Sequence, residues 1–302
     1  MATTRHYWYL THPLAVITRI TKFIPRMIIS DKLYIKCFYY TSFGKFPNIN
    51  NPQSFNEKLQ WLKLYDRRPE YTKMVDKHEV KKFVEEKIGK DHVIPTLAVY
   101  DKVEDINYDS LPNQFVLKCT HDSGGLVICK DKETLNRRIV EKKLKKNLST
   151  NIFWRTREWP YKNVHPRIIA EKYMTDESGT ELKDYKFFCF SGKVKMFKID
   201  FNRFVEHHAN YYDREGNMLS LGEKMCPPDP TRNICIPDNL QEMIRLAEIL
   251  SENIPFVRID LYNVNGHIYF GEITFFPDSG VGVLNSEEWD LKLGSYITLH
   301  KN

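Results

Sequence analysis

The sequence predicts an α+β protein, on three observations. Segments with apolar residues at helical spacing fill much of the first half and recur once near the end. Strand-like runs cluster in the middle and again before the C-terminus, two pairs of them folding back around Ser191-Gly192 and Asn265-Gly266. The composition is that of an ordinary globular chain: 302 residues, 42% hydrophobic and 28% charged, enough for one large domain or two or three modest subdomains. No internal repeat and no low-complexity linker separates the pieces, so the subdomains are expected to interleave.

Residues 5–30 mix aromatic and aliphatic side chains with spaced bases. Arg5, His12, Arg19 and Arg26 recur every seven positions, and Pro13 and Pro25 interrupt any continuous helix. Such a segment either packs on the protein body or makes an interfacial membrane contact. A helix is expected within residues 50–66, capped at Ser54 or Asn56, with Phe55, Leu59, Leu62 and Tyr65 on its apolar side. The stretch TKMVDKHEVKKFVEEKIG predicts one further helix, closed by Gly89. HVIPTLAVY and FVLKCT predict strands. ETLNRRIVEKKLKKNL predicts a basic helix with Leu135, Ile139, Leu144 and Leu148 inward and its charges in solvent. RIIAEKYM, DYKFFCFSGKVKMFKID and HHANYYD form a β-rich middle. NLQEMIRLAEILSENI is an amphipathic helix ahead of the last hairpin.

The net charge of +6 comes from 45 basic and 39 acidic residues. It suits an anionic partner such as a nucleotide, an acidic sugar or an anionic lipid surface, and is too small to single out nucleic acid. None of the six cysteines forms a C-x-x-C pair, so a zinc ribbon or thioredoxin-type site is not expected, and buried reduced thiols in a cytosolic protein are. No run reaches the ~18 apolar residues of a membrane span, and no signal peptide is evident.

The chemistry concentrates in VRIDLYNVNGHIYFGEITFFPDSG, residues 257–280. Asp260 and Glu272 stand on the two arms of a buried-looking hairpin, where each carboxylate repels the other unless something neutralises both. Mg²⁺ does so, through one or two carboxylates plus substrate phosphates and water. Their 12-residue spacing about Asn265-Gly266 is compatible with cross-strand pairing. Thr274 shares the face of Glu272 and can add a hydroxyl. Arg258 shares the face of Asp260, and either pairs with the acids or meets a phosphate or oxyanion.

In FVLKCTHDSGGLVICK, residues 115–130, Lys118 lies within an apolar strand, where an ammonium needs an anionic partner. The strand breaks at His121–Gly125 and resumes. Ser123, Gly124 and Gly125 either let main-chain N–H groups approach phosphates or form an ordinary hairpin turn, and the pattern is neither a P-loop nor G-x-G-x-x-G. The run ending in Glu171-Lys172 offers main-chain donors and acceptors to a flat base, and Asp184 a carboxylate to ribose hydroxyls. Lys77, taken alone, is a solvated helix lysine.

Taken in order, these pieces resemble the ATP-grasp superfamily, and more closely the TupA-like ATP-grasp family, named for teichuronopeptide biosynthesis and found among cell-surface polysaccharide genes. SFNEKLQWLKLYD, VDKHEV, LPNQFVLKCTHDSGG, IIAEKYM, DYKFFCFSGKV and the final hairpin carry the likeness, over about residues 30–290. The resemblance implies an ATP-grasp fold, two α+β subdomains sandwiching ATP, with a helical extension over 1–50, an α/β part over 51–112, a lid-like subdomain over 113–183 and a metal-bearing subdomain over 184–302. It implies phosphate contacts for Lys77 and Lys118 under the His121–Gly125 loop. Adenine would be held by Glu171, Lys172, Tyr173 and Met174, largely through main chain, with Asp184 near the ribose and Lys186 alongside. Asp260 and Glu272 would bind Mg²⁺, and Arg258 would sit at the transferring phosphate. Many ATP-grasp ligases carry Asn where Thr274 stands, which leaves its ligation open.

The implied reaction joins a carboxylate to an amine through an acyl phosphate. The carboxylate is expected on a hexuronic acid, nucleotide-linked, lipid-linked or polymeric, and the amine on an amino acid or small amino alcohol. In KIDFNRFVEHHANYYDREGN, Arg203 is the candidate to hold a carboxylate, and His207 or His208 either assists proton transfer or lies on the surface. A glycosyltransferase, for which a D-x-D motif is missing, a sugar kinase and a non-catalytic nucleotide-binding scaffold are the competing readings. The expected location is the cytoplasm, at most peripheral at the inner face of the membrane.

Overall fold

The computed structural model describes residues 29–175, 182–201, 207–232 and 234–300. The basic N-terminal segment as far as position 28, and Arg203, lie outside these residues.

Helix α1 (Asp31–Phe43) starts on Ser30, whose hydroxyl accepts from the Leu33 N–H, and ends at Gly44 in the left-handed region. Helix α2 (Phe55–Tyr65) carries a full capping box between Ser54 and Glu57. Phe55, Leu59 and Leu62 are buried as expected, whereas Tyr65 is 46% exposed and lies against Trp61 at the helix edge. The inner surface of α2 instead buries polar groups, with Asn56, Gln60 and Lys63 all nearly inaccessible.

The single helix expected after residue 71 is two, α3 (Glu70–Val75) and α4 (Val80–Ile88). Asp76 leaves the helical region, and its carboxylate accepts from the His78 and Glu79 N–H groups and from Arg167 at 2.8 Å. Lys77 therefore sits in a turn rather than on a helix, its N–H donating to Thr120 O at 3.0 Å.

Strands β1 (Thr96–Tyr100), β2 (Phe115–Cys119), β3 (Leu126–Cys129) and β4 (Ile168–Lys172) form an antiparallel sheet in the order β1-β4-β2-β3. The expected boundary at 112/113 runs through this sheet, because β1 precedes it in the chain. Helix α5 (Arg137–Leu148) covers one face, burying Val140 and Leu144 against Phe115, Leu117 and Ile168. Ile139, expected inward, is 65% exposed, because the Asn136 cap sets a phase that turns Val140 and Leu144 to the sheet. Alternation along β2 sends Phe115, Leu117 and Cys119 into this core and Val116 and Lys118 to the other face. Helix α6 (Phe153–Thr156) follows α5.

Strands β5 (Asp184–Phe190), β6 (Lys193–Phe201), β7 (His208–Tyr212), β8 (Phe256–Val264) and β9 (His267–Thr274) form the second antiparallel sheet, in the order β7-β6-β5-β8-β9. The Ser191-Gly192 and Asn265-Gly266 turns have positive φ at both positions, 49° and 76°, then 53° and 83°, as two-residue hairpins require. Helix α7 (Leu240–Leu250) buries Met243, Ile244, Ala247 and Leu250 against the Phe187, Phe197, Ile259 and Leu261 face. Helix α8 (Glu287–Ser295) packs against α2.

The other face of this sheet is charged. Tyr211 lies opposite Lys198, Lys198 opposite Lys186, Lys186 opposite Asp260 and Asp260 opposite Glu272. One lateral row of polar side chains thus crosses all five strands. All six cysteines are free, and Cys235, contrary to the buried expectation, is exposed. Among the described residues no helix is long and apolar enough to cross a membrane.

Candidate active site

Asp260 and Glu272 face each other, but the turn alone does not arrange it. The two-residue turn pairs Val264 with His267, and the ladder runs on to Leu261 opposite Phe270. Continued unbroken, it would set Gly271 opposite Asp260 and turn Glu272 toward the apolar face. A bulge at Gly271 absorbs one residue, and register resumes with Asp260 opposite Glu272 and Arg258 opposite Thr274. A Cβ on residue 271 would meet Asp260 O at 3.0 Å and the Tyr262 ring at 3.1 Å, so any side chain there must push these neighbours outward by a few tenths of an ångström.

The Arg258 guanidinium grips Asp260 with both arms at 2.7 Å, and the same Nη2 reaches Glu272 Oε1 at 3.0 Å and Thr274 Oγ1 at 3.1 Å. Of the two sequence alternatives for Arg258, the structure shows the pairing with the acids, and Arg258 lines neither of the cavities between the sheets. Burial pushes the Asp260 carboxyl up against the pull of Arg258, with Asp184 adding to the push. Burial also raises Glu272, but the Lys77 ammonium and Arg258 outweigh it and hold it below the usual carboxylate range.

On the opposite side of the cleft, Glu171 bridges two lysines, Lys118 at 2.6 Å and Lys81 at 2.6 Å. Their charges overcome the desolvation of this buried carboxylate and lower its pKa. The anionic partner that Lys118 requires is therefore Glu171. Lys77 Nζ donates to the carbonyl of Asp122, which opens the small-residue loop. Asp122 Oδ1 accepts from Gly125 N–H at 3.0 Å, and Cys119 Sγ lies 2.6 Å from where a Gly125 Cβ would be, so only glycine closes this loop.

A cavity of about 600 Å³ lies between the sheets, walled by Val116, Ile128, Lys172, Tyr173, Met174 and Tyr262. A second, of about 230 Å³, is walled by Lys77, Ser123, Gly125, Asp184, Gly271 and Glu272. Lys118, Leu126 and Tyr262 line both, so the two adjoin. Of the expected nucleotide residues, Lys77, Lys118, Ser123, Gly125, Glu171, Lys172, Tyr173, Met174 and Asp184 line this joint cleft. Gly124 lies in the same loop. Lys186 does not line it: its ammonium is buried between Asp184, at 2.9 Å, and Asp200.

Beyond Lys186 the charged row continues. Lys198 Nζ meets Glu223 at 2.8 Å, and Glu223 also accepts from the Tyr211 hydroxyl. His207 Nε2 is 3.3 Å from Asp200, and its Nδ1 is 3.2 Å from Cys226 Sγ. His208 bonds Pro227 O at 2.9 Å. Lys81, Asp200 and Glu223 were not anticipated. Lys198 and Asp200 carry the same signal as Lys118, charged residues two apart inside an apolar strand.

Of the three expected donors Glu272 fits Mg²⁺, whereas both Asp260 oxygens are held by Arg258 and neither Asp260 nor Thr274 lines the cleft. Glu272 is partly open, its side chain 43% exposed on the smaller cavity, with its Oε2 uncommitted among the described residues. Among those residues no group of three His, Cys, Asp or Glu side chains is placed to hold a metal. That agrees with an ion taking one or two carboxylates and otherwise phosphate and water.

A family model described as TupA-like ATPgrasp matches residues 57–298. No curated protein matches the chain. Among solved structures, D-alanine–D-alanine ligase from Bacillus anthracis complexed with ATP is similar at 17% identity, over 67% of this chain and 53% of that one, with a TM-score of 0.38. D-alanine–D-alanine ligase from Helicobacter pylori is similar at 13% identity over 82% and 70%, with a TM-score of 0.41. D-cycloserine synthetase DcsG is similar at 14% identity over 74% and 69%, with a TM-score of 0.42. The chain spans about half the length of the first of these.

Proposed function

This chain belongs to the TupA-like ATP-grasp family, and from that premise we propose that it is an ATP-dependent ligase joining a carboxylate to an amine. The observation that carries the reading is the pair of adjoining cavities that run from the Lys172–Met174 wall, by way of the shared Lys118, to Glu272. The base of ATP lies in the larger cavity. Because the Glu171 side chain is committed to Lys81 and Lys118, the base is read by the main chain of the segment that follows. Lys118 and Lys77 meet the phosphates beneath the Ser123–Gly125 loop. Glu272 would hold Mg²⁺, with Asp260 and Thr274 joining it only where Arg258 turns to the phosphate, and the ion would supply charge neutralisation and polarisation of the γ-phosphoryl group. Arg258 steadies charge on the transferring group. Phosphoryl transfer needs this positioning more than it needs a protein nucleophile.

The substrate carboxylate attacks the γ-phosphorus and ADP leaves. The amine nitrogen then attacks the acyl carbon and phosphate leaves. We place the carboxylate on a hexuronic acid of a cell-surface polysaccharide or its precursor, and the amine on an amino acid or small amine. In this scheme we assign Arg203 and His207 to the acceptor. The test is ADP and phosphate release from Mg-ATP with uronic acid sugar nucleotides crossed with small amines, products being read by mass. Amide with ADP and phosphate is the expected result. A phosphorylated sugar without amide would make the protein a kinase, and no turnover with any pair would overturn the ligase reading for free precursors.

A further inference from the structure

The PDSG segment after β9 is wound the wrong way. Asp278, Ser279 and Gly280 have φ of 47°, 55° and 62°, three consecutive left-handed residues of which two carry side chains. Such backbone persists only where its surroundings over-determine it, and it concentrates at functional sites. The surroundings here are the buried polar groups of α2. Lys63 Nζ donates to Ser279 O at 2.6 Å, Gln60 Nε2 donates to Gly280 O, and Asn56 Nδ2 donates to Gly282 O at 3.0 Å. The Ser279 hydroxyl donates to buried Glu158 at 2.7 Å. The polar inner face of α2 thus has a specific task, which is to hold this turn.

The turn presents one carboxylate. Around it the other acids are occupied: Asp184 and Asp200 by Lys186, Asp260 by Arg258, and Glu223 by Lys198 and Tyr211. Asp278 has no side-chain hydrogen bond or ion pair among the described residues, and it reaches solvent although protein atoms crowd its carboxyl. We propose that Asp278 receives the amine substrate, docking its ammonium group at the end of the charged row and taking its proton. The inference rests on the ligase reading and deepens it. The acceptor enters as R–NH₃⁺ and gives one proton to Asp278. The free amine attacks the acyl carbon, the C–N bond forms, the acyl C–O bond to phosphate breaks, and the second proton leaves with the phosphate. Desolvation and the Glu223 carboxylate raise the Asp278 carboxyl, while Lys198 and Arg258 oppose them and Asp200 adds to the rise. Tyr211, Cys226 and Glu158 are further titratable neighbours. A raised carboxyl is better matched to accepting a proton from an ammonium.

Asp278→Asn tests this, because asparagine tolerates the left-handed region and keeps the turn. Two assays run side by side with the uronate and amine that give amide in the panel above. One measures amide. The other replaces the amine by hydroxylamine, uncharged at neutral pH, which traps the acyl phosphate as a hydroxamate. Amide formation should fall about 100-fold, chiefly as a raised KM for the amine, and hydroxamate at least tenfold less, by ~10-fold or under. Asp278→Glu should recover part of the loss, and Ser279→Gly, which relieves the strain, should leave the amine KM where it was. Equal losses in both assays, or a wild-type amide rate in folded Asp278→Asn, would overturn the assignment and leave the ligase standing. Neither product from the wild type with any pair would overturn the ligase and Asp278 together.

Discussion

Lys63→Met removes a fully buried ammonium and leaves its partners behind. Lys63 Nζ donates to Ser279 O at 2.6 Å and Thr156 O at 3.0 Å, lies 5.5 Å from the Phe38 ring and 5.7 Å from the Phe276 ring, and is the countercharge to buried Glu158. Methionine fills the space but donates nothing. Each lost charge-assisted bond is worth ~1.5–3 kcal/mol, and relief from desolvating the ammonium returns part of that. The net loss at pH 7 should be about 2–4 kcal/mol. The penalty should then grow with pH. Burial pushes Lys63 down to about 8 from 10.5, with Glu158 opposing. A lowered folded-state value means that above pH 8 the unfolded chain holds more protons than the folded one, so this group's contribution to stability rises with pH. Between pH 7 and 10 the gain is about 2.5 kcal/mol, and the methionine variant lacks it. Glu158, stranded in the variant, shifts the difference in the same direction. Denaturant unfolding of both proteins at pH 7 and pH 10, followed by the fluorescence of the five tryptophans, measures this double difference. A penalty under ~1 kcal/mol at pH 7, or one that shrinks as pH rises, would refute the role of Lys63 as the buried clamp of the turn.

Glu272→Gln should abolish Mg-ATP turnover in a folded protein with an unchanged circular dichroism spectrum, and full activity would remove Glu272 from the metal site. Gly271→Val should destabilise by ~1–3 kcal/mol through its clash with Asp260 O and the Tyr262 ring, and should disturb Mg-ATP binding; unchanged nucleotide affinity by calorimetry would argue against the bulge as the device that sets the pair. Lys81→Met leaves Glu171 to Lys118 alone, tightening its hold on the phosphate-facing lysine. The KM for ATP should rise by about three- to tenfold with kcat less affected, and an unaltered KM would show the bridge to be only structural.

Much of this was legible in the residues. Turn chemistry at Ser191-Gly192 and Asn265-Gly266 and the Ser54 cap follow from local rules, and the pairing of Asp260 with Glu272 was expected from their spacing. The pairing, however, depends on a bulge that was not anticipated, although the sequence marks it. Apolar residues fall at 268 and 270 and then at 273 and 275, a change of phase across Gly271. Lys77 was misplaced onto a helix because Asp76 has helical neighbours on both sides, and its capture by Arg167 is a contact between residues far apart in the chain. Lys63 and Gln60 read as solvated positions of an amphipathic helix. Nothing local announces that a strained turn more than 200 residues later requires their donors.

The charged row across the second sheet also bears on how this protein can change by descent. Lys198 answers Glu223, Lys186 answers Asp184 and Asp200, and Arg258 answers Asp260 and Glu272. A single neutral substitution strands an opposite charge in a buried setting, where the loss is large. Relatives should therefore exchange these residues in compensating pairs, Lys198 together with Glu223 and Lys186 together with Asp200. The strand β6 that carries two of them would be inherited as a block with its partners, while the surface of α5 is left to drift.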